Sequence, residues 1–279
     1  MYKKVRSLIE ISRPDLTLAG GLCVITGQII SMHGLPSPFV GLMGFLTGFF
    51  VSGSAIILND YFDYEVDLIN SPSRPIPSGE VSLSEALVLM VLFAAAGFLS
   101  AGLIDITPLI FALFIWLVSV LYNWKYKEAG LLGNMMVALS VAWFFIFGSA
   151  TVGKLGNTMI WVWSAMAFLF DLGEEIASDA MDMEGDMKRS ARTLPILHGK
   201  TYAIHVSTLL FMLFISMSFI IVLMNRNYLF IMIPLDLVVL YLSLKLLKSD
   251  NIEEGKKTIR MMYLAVTLFV GAFAVLSIL

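Results

Sequence analysis

The chain has 279 residues, of which 58% are hydrophobic and only 14% are charged, and its mean hydropathy is +0.87. Soluble globular domains carry about 25% charged residues, so this composition excludes a soluble protein of ordinary make-up. The net charge of −3 gives little further information, because the two sides of a membrane protein differ strongly in charge. The composition therefore indicates an α-helical membrane protein.

Apolar runs long enough to cross a bilayer follow one another along the chain. An α-helix of about 20 residues spans roughly 30 Å of hydrocarbon. The runs lie near residues 16–32, 38–58, 83–103, 107–122, 131–151, 159–178, 201–224, 228–247 and 260–278. They predict an all-α polytopic membrane protein with nine transmembrane helices.

The basic residues between these runs indicate the orientation of the chain. An odd number of spans puts the termini on opposite sides of the membrane, and Lys and Arg accumulate on the cytoplasmic side. With nine spans, 16 of the 18 Lys and Arg residues fall on the side of the N-terminus, and only Lys154 and Arg226 fall on the other. We therefore expect an integral protein of the cell membrane with a cytoplasmic N-terminus, cytoplasmic long loops and an external C-terminus.

The first long polar segment, residues 59–82, begins with the acidic string NDYFDYEVD. This string contains Asp60, Asp63 and Asp67 directly after an apolar run. If the preceding helix continues past the membrane surface, Asn59, Asp63 and Asp67 project from nearly one face, because they are four residues apart. The segment goes on with SPSRPIPSG, in which Pro, Ser and Gly favour turns around Arg74.

The second long polar segment, residues 179–200, repeats the acidic pattern. Its string SDAMDMEGD contains Asp179, Asp182 and Asp186, with the same spacing of three and then four residues, 119 positions after the first copy. A basic, turn-rich stretch, MKRSARTLPILHG, follows it directly. The parent helices are four spans apart and run in the same direction, so we expect one transmembrane domain over residues 1–279 with pseudo-repeat halves of about 1–130 and 131–279.

The acidic residues indicate a metal site. Like charges on one helix face repel, and 12 of the 21 acidic residues lie within 59–80 and 171–186, on the side where basic residues are expected. They could merely hydrate the helix ends, but their number and matched spacing favour a divalent cation. Mg²⁺ commonly binds one or two carboxylates together with phosphate oxygens and water. The candidate ligands are Asn59, Asp60, Asp63, Asp67, Asp179, Asp182 and Asp186.

Basic side chains near the acids indicate an anionic ligand. Arg binds phosphate through two parallel hydrogen bonds, whereas Lys acts as a point charge. The candidates are Arg13, Arg74, Lys125, Lys127, Lys188, Arg189, Arg192 and Lys200. Membrane topology and lipid headgroups are the simpler explanation for Lys3, Lys4, Lys256 and Lys257. Carboxylates, metal and cations together predict a diphosphate site.

These motifs resemble those of the UbiA superfamily of intramembrane prenyltransferases. NDYFDYEVD matches the N-D-x-x-D-x-x-x-D signature of that family, and SDAMDMEGDMKRSARTLP is similar to its second motif, with Asp182 and Asp186 as D-x-x-x-D. The segment NSPSRPIPSG, the pair Arg13 and Pro14, and LYNWKYKEAGLLGN at residues 121–134 extend the resemblance over nearly the whole chain. Within the superfamily, the chain is most similar to archaeal digeranylgeranylglyceryl phosphate synthases.

The resemblance implies a bundle of nine transmembrane helices around a central cavity, with a cytoplasmic cap of two long loops. It also implies that two Mg²⁺ ions bridge the diphosphate of an allylic prenyl donor. The ligands of one ion would be Asn59, Asp63 and Asp67, and those of the other would be Asp179, Asp182 and Asp186. The leading contacts of the diphosphate would be Arg13, Lys127 and Arg192. Further contacts would come from Lys125, Arg74 and Lys188. Tyr122 would either face the developing allylic cation or be an ordinary interfacial aromatic residue.

The activity that the resemblance implies is Mg²⁺-dependent transfer of a geranylgeranyl group from geranylgeranyl diphosphate to the free hydroxyl of geranylgeranylglyceryl phosphate, in archaeal ether-lipid synthesis. The partners would be the prenyl diphosphate donor, a lipid-like phosphate acceptor and membrane lipids, but no nucleic acid.

Two alternatives remain open at this point. An aromatic-acceptor prenyltransferase of quinone or haem biosynthesis would keep both motifs. A divalent-cation transporter could also use helix-borne carboxylates, although transporters place these near the bilayer midplane rather than at span ends. Asp236, an acid well inside a later span just after Pro234, is a site candidate by default, but its position favours a packing or helix-bend role.

Overall fold

The structure, a computed structural model, describes residues 2–188, 191–249 and 251–276. Every regular element in these ranges is helical, which confirms the predicted all-α class. The α-helices are α1 (Tyr2–Glu10), α2 (Pro14–Met32), α3 (Pro38–Phe62), α4 (Tyr64–Asn70), α5 (Leu83–Ile104), α6 (Ile106–Leu121), α7 (Leu131–Thr151), α8 (Thr158–Lys188), α9 (Leu194–His198), α10 (Lys200–Met224), α11 (Leu229–Leu247) and α12 (Ile252–Leu276). A π-helical turn, Tyr122–Tyr126, follows α6, and a short 3-10 turn, Arg226–Tyr228, precedes α11.

Seven helical segments of the described chain are long and apolar enough to cross a membrane. They are Pro14–Met32, Pro38–Phe62, Leu83–Ile104, Ile106–Tyr126, Leu131–Thr151, Lys200–Met224 and Arg226–Leu247. The runs predicted near 159–178 and 260–278 lie in α8 and α12, which are not among these seven. The structure therefore supports an integral membrane protein built from helices, but it does not confirm nine spans.

Local sequence signals explain where several helices begin. Proline occupies the start of α2 and α3, where its missing N–H costs nothing and its fixed φ suits a helix. α5 begins with a capping box, in which Ser82 Oγ accepts from the Glu85 N–H at 3.3 Å and the Glu85 carboxylate accepts from the Ser82 N–H at 2.8 Å. These signals fix where the chain enters the apolar runs.

The two segments predicted as long loops contain more helix than expected. The first holds the end of α3, all of α4 and a series of turns, and the second holds the end of α8 and all of α9. Six of residues 179–188 are Ala, Met, Glu or Lys, and these favour continuation of α8 over a loop despite three Asp and one Gly. The predicted cytoplasmic cap of two loops is thus not confirmed.

The chain forms two compact units. The first contains the chain up to Trp124 together with Phe147–Leu155, and the second contains Lys125–Ile146 and the chain from Gly156 onward. In the first unit, α3 packs against α2, α5 and α6. The turns after α4 are anchored there, because Ile76 and Val81, which are 4% and 0% exposed, pack in an apolar cluster with Ile11 and Ile57.

In the second unit, α8 packs against α9, α10 and α12. The ring of Phe170 in α8 lies 5.5 Å from the rings of Phe211 and Phe214 in α10. Next to them, Ser207 donates a hydrogen bond to the Gly173 carbonyl at 2.6 Å. These contacts hold in place the helix that carries the second acidic motif.

Asp236 makes a contact between two helices of the second unit. Ser218 in α10 donates a hydrogen bond to the Asp236 carboxylate in α11 at 2.6 Å. Such bonds between apolar helices stabilise their packing. The contact agrees with the predicted packing role of Asp236.

Candidate functional site

The first acidic motif lies at a break between α3 and α4. The predicted uninterrupted helix is wrong here, because α3 ends at Phe62 and Asp63 forms the link to α4. The one-turn spacing nevertheless persists, since the Asp63 N–H donates to Asn59 O at 3.0 Å and the Asp67 N–H donates to Asp63 O at 2.8 Å. Asp60, Asp63 and Asp67 are all buried, with exposed fractions of 5%, 8% and 4%.

Two arginines of the first unit bind these buried carboxylates. Arg13 donates to Asp60, and Arg74 donates to Asp67 at 2.6 Å and lies 3.7 Å from Asp60. A buried carboxylate is costly unless a charged or hydrogen-bonding partner compensates it. The structure therefore brings together two predicted diphosphate contacts and two predicted metal ligands.

The backbone at Arg13 is strained. Arg13 has φ of 44°, in the left-handed region that residues other than glycine rarely adopt. Pro14 follows it and disfavours the right-handed helical conformation at the preceding residue. Strain of this kind clusters at functional sites, and here it lies between α1 and α2, next to the guanidinium that binds Asp60.

Asn59 contacts the π-helical turn after α6. Its side-chain N–H₂ donates to the Asn123 amide oxygen at 3.0 Å, and Asn123 in turn donates to Ser119 O at 2.9 Å. Single π-helical turns are frequent at functional sites, since they redirect side chains within a helix. The same turn begins with Tyr122, which is half-buried.

The second acidic motif lies on one continuous helix, as predicted. Residues 171–186 are all part of α8. Asn134 of α7 donates to the Asp179 carboxylate at 2.7 Å, and Lys256 of α12 lies 2.5 Å from Asp182. Asp186 also lies on α8, and its carbonyl accepts from the Ala191 N–H at 3.3 Å.

A second pair of segments meets beside this motif in the same unit. The Arg192 N–H donates to Glu128 O at 3.1 Å. Gly130 has φ of 61°, and a Cβ atom built on it would collide with the Arg192 carbonyl, so only glycine fits without a shift. The charge of Lys127, in the same segment, acts on Glu175 of α8. The segment 127–130 is therefore docked onto the segment that contains Arg192.

The structure gives less information on the other predicted diphosphate contacts. Lys125 Nζ lies 5.6 Å from the centre of the Tyr126 ring, a cation–π contact rather than a contact with an acid. Lys188 ends α8, but its side chain lies outside the described part of the structure, as does Arg189.

Three partners of the motif residues were missed by the sequence analysis. Asn123 and Asn134 both belong to LYNWKYKEAGLLGN, the segment that contributes to the family resemblance, so this segment carried a usable signal. From the sequence, Lys256 is explained by membrane topology and lipid headgroups alone. Its contact with Asp182 depends on how α12 packs against α8, which no local pattern reveals.

The donor atoms at both motifs suit Mg²⁺ bound together with a phosphate. Among the described residues, no three His, Cys, Asp or Glu side chains are grouped so that they could hold a metal by themselves. Mg²⁺ does not require such a group, because it commonly takes one or two protein carboxylates and completes its shell with phosphate oxygens and water. The oxygen-only ligand chemistry of both motifs fits this mode of binding.

Comparisons with known proteins show the family of the chain. The model of the UbiA prenyltransferase family matches residues 21–274. The digeranylgeranylglyceryl phosphate synthase of Thermococcus kodakarensis is 34% identical over 275 residues, which cover 98% of both chains. A solved structure that concerns the biosynthesis of digeranylgeranylglyceryl phosphate synthase in membranes is 29% identical, with a TM-score of 0.76 over 99% of both chains.

A more distant structure shares the fold. A UbiA homologue from Archaeoglobus fulgidus, solved bound to GPP and Mg²⁺, has a TM-score of 0.75 and 17% identity, over 98% of this chain and 99% of that one. The family match covers most of the chain and includes both acidic motifs. The chain therefore belongs to the UbiA prenyltransferase family.

Proposed function

We propose that this protein transfers a geranylgeranyl group from geranylgeranyl diphosphate to the free hydroxyl of geranylgeranylglyceryl phosphate, and so forms an ether bond of an archaeal membrane lipid. The similarity to a digeranylgeranylglyceryl phosphate synthase over 98% of both chains supports this substrate pair. The observation that carries the proposal is that both acidic motifs contact basic side chains from other segments. A metal and a diphosphate require this combination of charges.

The metal assignment follows the two motifs. We assign one Mg²⁺ to Asn59, Asp63 and Asp67 and the other to Asp179, Asp182 and Asp186. Asp60 is a further candidate, and its contacts with Arg13 and Arg74 indicate that it also orients these two side chains. The binding of GPP and Mg²⁺ by the Archaeoglobus fulgidus homologue supports the use of a divalent metal with a prenyl diphosphate.

The reaction breaks the bond between the first carbon of the prenyl chain and the diphosphate oxygen, which keeps the electron pair. Bound Mg²⁺ would supply charge that neutralises the leaving diphosphate. Arg13, Arg74, Lys127 and Arg192 would hold that diphosphate, with further contacts from Lys125 and Lys188. Cations that are positioned before the reaction would stabilise the developing negative charge without reorganising.

The cationic carbon left behind is captured by the acceptor. The aromatic face of Tyr122 would stabilise the allylic cation. The acceptor hydroxyl oxygen then forms the new C–O bond and passes its proton to the released diphosphate. The apolar residues of the helices exclude water, which would otherwise capture the cation.

Two other functions have less support than this one. Membership of the prenyltransferase family argues against the cation transporter. An aromatic-acceptor prenyltransferase would share both motifs, and it differs in the acceptor alone. The acceptor must therefore be tested directly.

The test is a competition between acceptors. The purified protein is given geranylgeranyl diphosphate and Mg²⁺ with equal amounts of geranylgeranylglyceryl phosphate and an aromatic acid, and the products are analysed by mass spectrometry. We expect the doubly alkylated glyceryl phosphate, and we expect no product when EDTA removes the metal. A prenylated aromatic acid as the main product would overturn the proposal.

A further inference from the structure

The start of α12 is docked closely onto the second acidic motif. Gly255 is buried against Met181, and a Cβ atom at Gly255 would collide with the Met181 side chain. Thr258 and Ile259, one turn further, are also buried, with exposed fractions of 0% and 8%. The register of α12 against α8 is therefore well defined, and it determines which side chains of α12 lie beside the motif.

Lys256 is the residue that this register places on the motif. Its Nζ atom lies 2.5 Å from Asp182, and the two side chains are 54% and 56% exposed. Exposed ion pairs contribute little to stability, so such a pair exchanges partners readily. Lys256 is thus an accessible cation next to a proposed metal ligand rather than a structural anchor.

Arg260 extends this cationic surface by one turn. Residues four apart on a helix lie on the same face, and Arg260 is exposed like Lys256. Its guanidinium lies 5.3 Å from the centre of the Tyr263 ring, and its charge acts on Glu174 of α8. Two cations of α12 therefore follow the acidic face of α8.

We propose that Lys256, together with Arg260, binds the phosphate group of the acceptor. This inference rests on the proposed function, because it names the site for the acceptor of that reaction. If Asp182 held Mg²⁺, Lys256 would lose its carboxylate partner but stay beside it, and an anion could replace that partner. A phosphate monoester fits this accessible pair of cations, since Lys offers a point charge and Arg a planar fork.

The donor diphosphate carries the same chemistry and is the other source of phosphate at this position. The proposed diphosphate contacts Arg13 and Arg74 bind buried carboxylates of the first motif. Lys256 differs from them because its own partner is exposed. This difference favours the more polar acceptor headgroup for Lys256, and kinetics can separate the two sources.

The experiment compares Lys256→Ala with Lys257→Ala, the neighbouring exposed lysine of α12, as a matched control. Each variant is assayed with Mg²⁺ while geranylgeranylglyceryl phosphate or geranylgeranyl diphosphate is varied, and also with the dephosphorylated acceptor. A hydrogen bond between charged groups is worth at least about a tenfold change in affinity. We expect Lys256→Ala to raise the acceptor KM by about tenfold or more, with the donor KM unchanged within about twofold.

Three further comparisons complete the test. The rate with the dephosphorylated acceptor should be equal in Lys256→Ala and wild type, Lys256→Arg should restore most of the affinity, and Lys257→Ala should behave like wild type. A rise in the donor KM instead, an equal loss with the dephosphorylated acceptor, or no change at all would each overturn the assignment.

Equilibrium binding separates this inference from the proposed function. Geranylgeranylglyceryl phosphate is titrated into wild type and Lys256→Ala in the presence of Mg²⁺ and without donor. Weaker binding by the variant supports the site even where no transfer occurs, and equal binding overturns it. Absence of transfer by wild type would contradict the proposed function only.

Discussion

Arg74 contacts two carboxylates of the first acidic motif, Asp60 and Asp67, and it shares Asp60 with Arg13. Both carboxylates are buried, so the arginines compensate charges that would otherwise be very unfavourable. Asp63 is buried in the same motif, links α3 to α4, and is one of the residues that we propose as ligands of Mg²⁺. At the scale of single residues, Asp63 is therefore the sharpest test of the metal assignment.

We expect Asp63→Ala to lose transfer activity while the protein remains folded. Removing one of several like charges should not destabilise the motif, whereas loss of a metal ligand that stabilises the leaving group should lower kcat/KM by about 100-fold or more. Glu65→Ala is the control, because Glu65 belongs to the same acidic string but is exposed. Activity is measured with Mg²⁺ and folding by thermal unfolding. Near-normal transfer by Asp63→Ala would show that the assignment is wrong.

At the scale of elements, the segment after the π-helical turn and the segment before α9 form one docked pair. Gly130 at positive φ lies against the Arg192 carbonyl, and the Arg192 N–H binds Glu128 O. The backbone thus fixes Arg192 relative to Lys127, although neither side chain needs to contact the other. We infer that this docking positions both cations for the diphosphate.

Gly130→Ala should therefore weaken donor binding as well as stability. The left-handed conformation costs a residue other than glycine about 1–2 kcal/mol, and the added Cβ atom must also displace Arg192. Gly153→Ala is a matched control, because Gly153 has φ of 66° but open space around its Cβ position. We expect both variants to lower the unfolding temperature and only Gly130→Ala to raise the donor KM. An equal donor KM in the two variants would contradict the positioning role.

A second element, α1, is attached through acidic residues near the start of α5. Glu80 accepts from Ser7 at 2.6 Å and pairs with Lys3 at 2.9 Å, while Lys4 pairs with Glu85 at 2.5 Å. The Ser7 hydrogen bond, followed by the Lys3 interaction, lowers the pKa of Glu80 below its usual value of 4.5. A carboxylate with a lowered pKa stabilises the folded state above its unfolded pKa, and this stabilisation is lost as the pH falls through the folded pKa.

The attachment of α1 should consequently weaken in acid. Hydrogen exchange of α1, corrected for the intrinsic pH dependence, should show protection at pH 7 that decreases below the usual pKa of Glu80. Glu80→Gln should lower protection already at pH 7, whereas Glu10→Gln, an exposed acid at the end of α1, should not. The effect should be modest, because the side chain of Lys3 is 82% exposed and that of Glu80 is partly exposed. If hydrogen-exchange protection of α1 at pH 7 were equal in Glu80→Gln and wild type, this role of Glu80 would be contradicted.

At the scale of the whole molecule, the distribution of basic residues predicts the orientation in the membrane. We expect Lys154 and Arg226 on the external side and the connection between α11 and α12 in the cytoplasm. The test introduces one cysteine at a time into a variant in which Cys23, the only cysteine, is replaced by Ala. Asn157→Cys should react with an impermeant reagent added outside intact cells, and Ser249→Cys should react only after the membrane is opened. The reverse pattern would show that the predicted orientation is wrong.

Much of the site could be predicted from the sequence, because the residues that carry its chemistry occur in short sequence motifs. The matched spacing of Asp60, Asp63 and Asp67 with Asp179, Asp182 and Asp186 needs only helical geometry to become two acidic faces. The break at Asp63 escaped prediction, because no proline or glycine marks it. The extent of α8 also escaped prediction, because its acidic end resembles a solvated loop in composition, although six of residues 179–188 are Ala, Met, Glu or Lys, which favour a helix.

The sequence by itself determined the helical membrane class, the acidic and basic motifs and, through them, the prenyltransferase family. The length of an apolar run and the spacing of residues are local properties of the sequence, and they can be read without knowledge of any tertiary contact. Only the tertiary structure decided which side chain meets which carboxylate: Arg74 meets Asp67, Asn134 meets Asp179 and Lys256 meets Asp182. The physical reason is that these pairings depend on the register between packed helices and on the course of anchored turns, which is set by close packing of apolar and small residues from different elements.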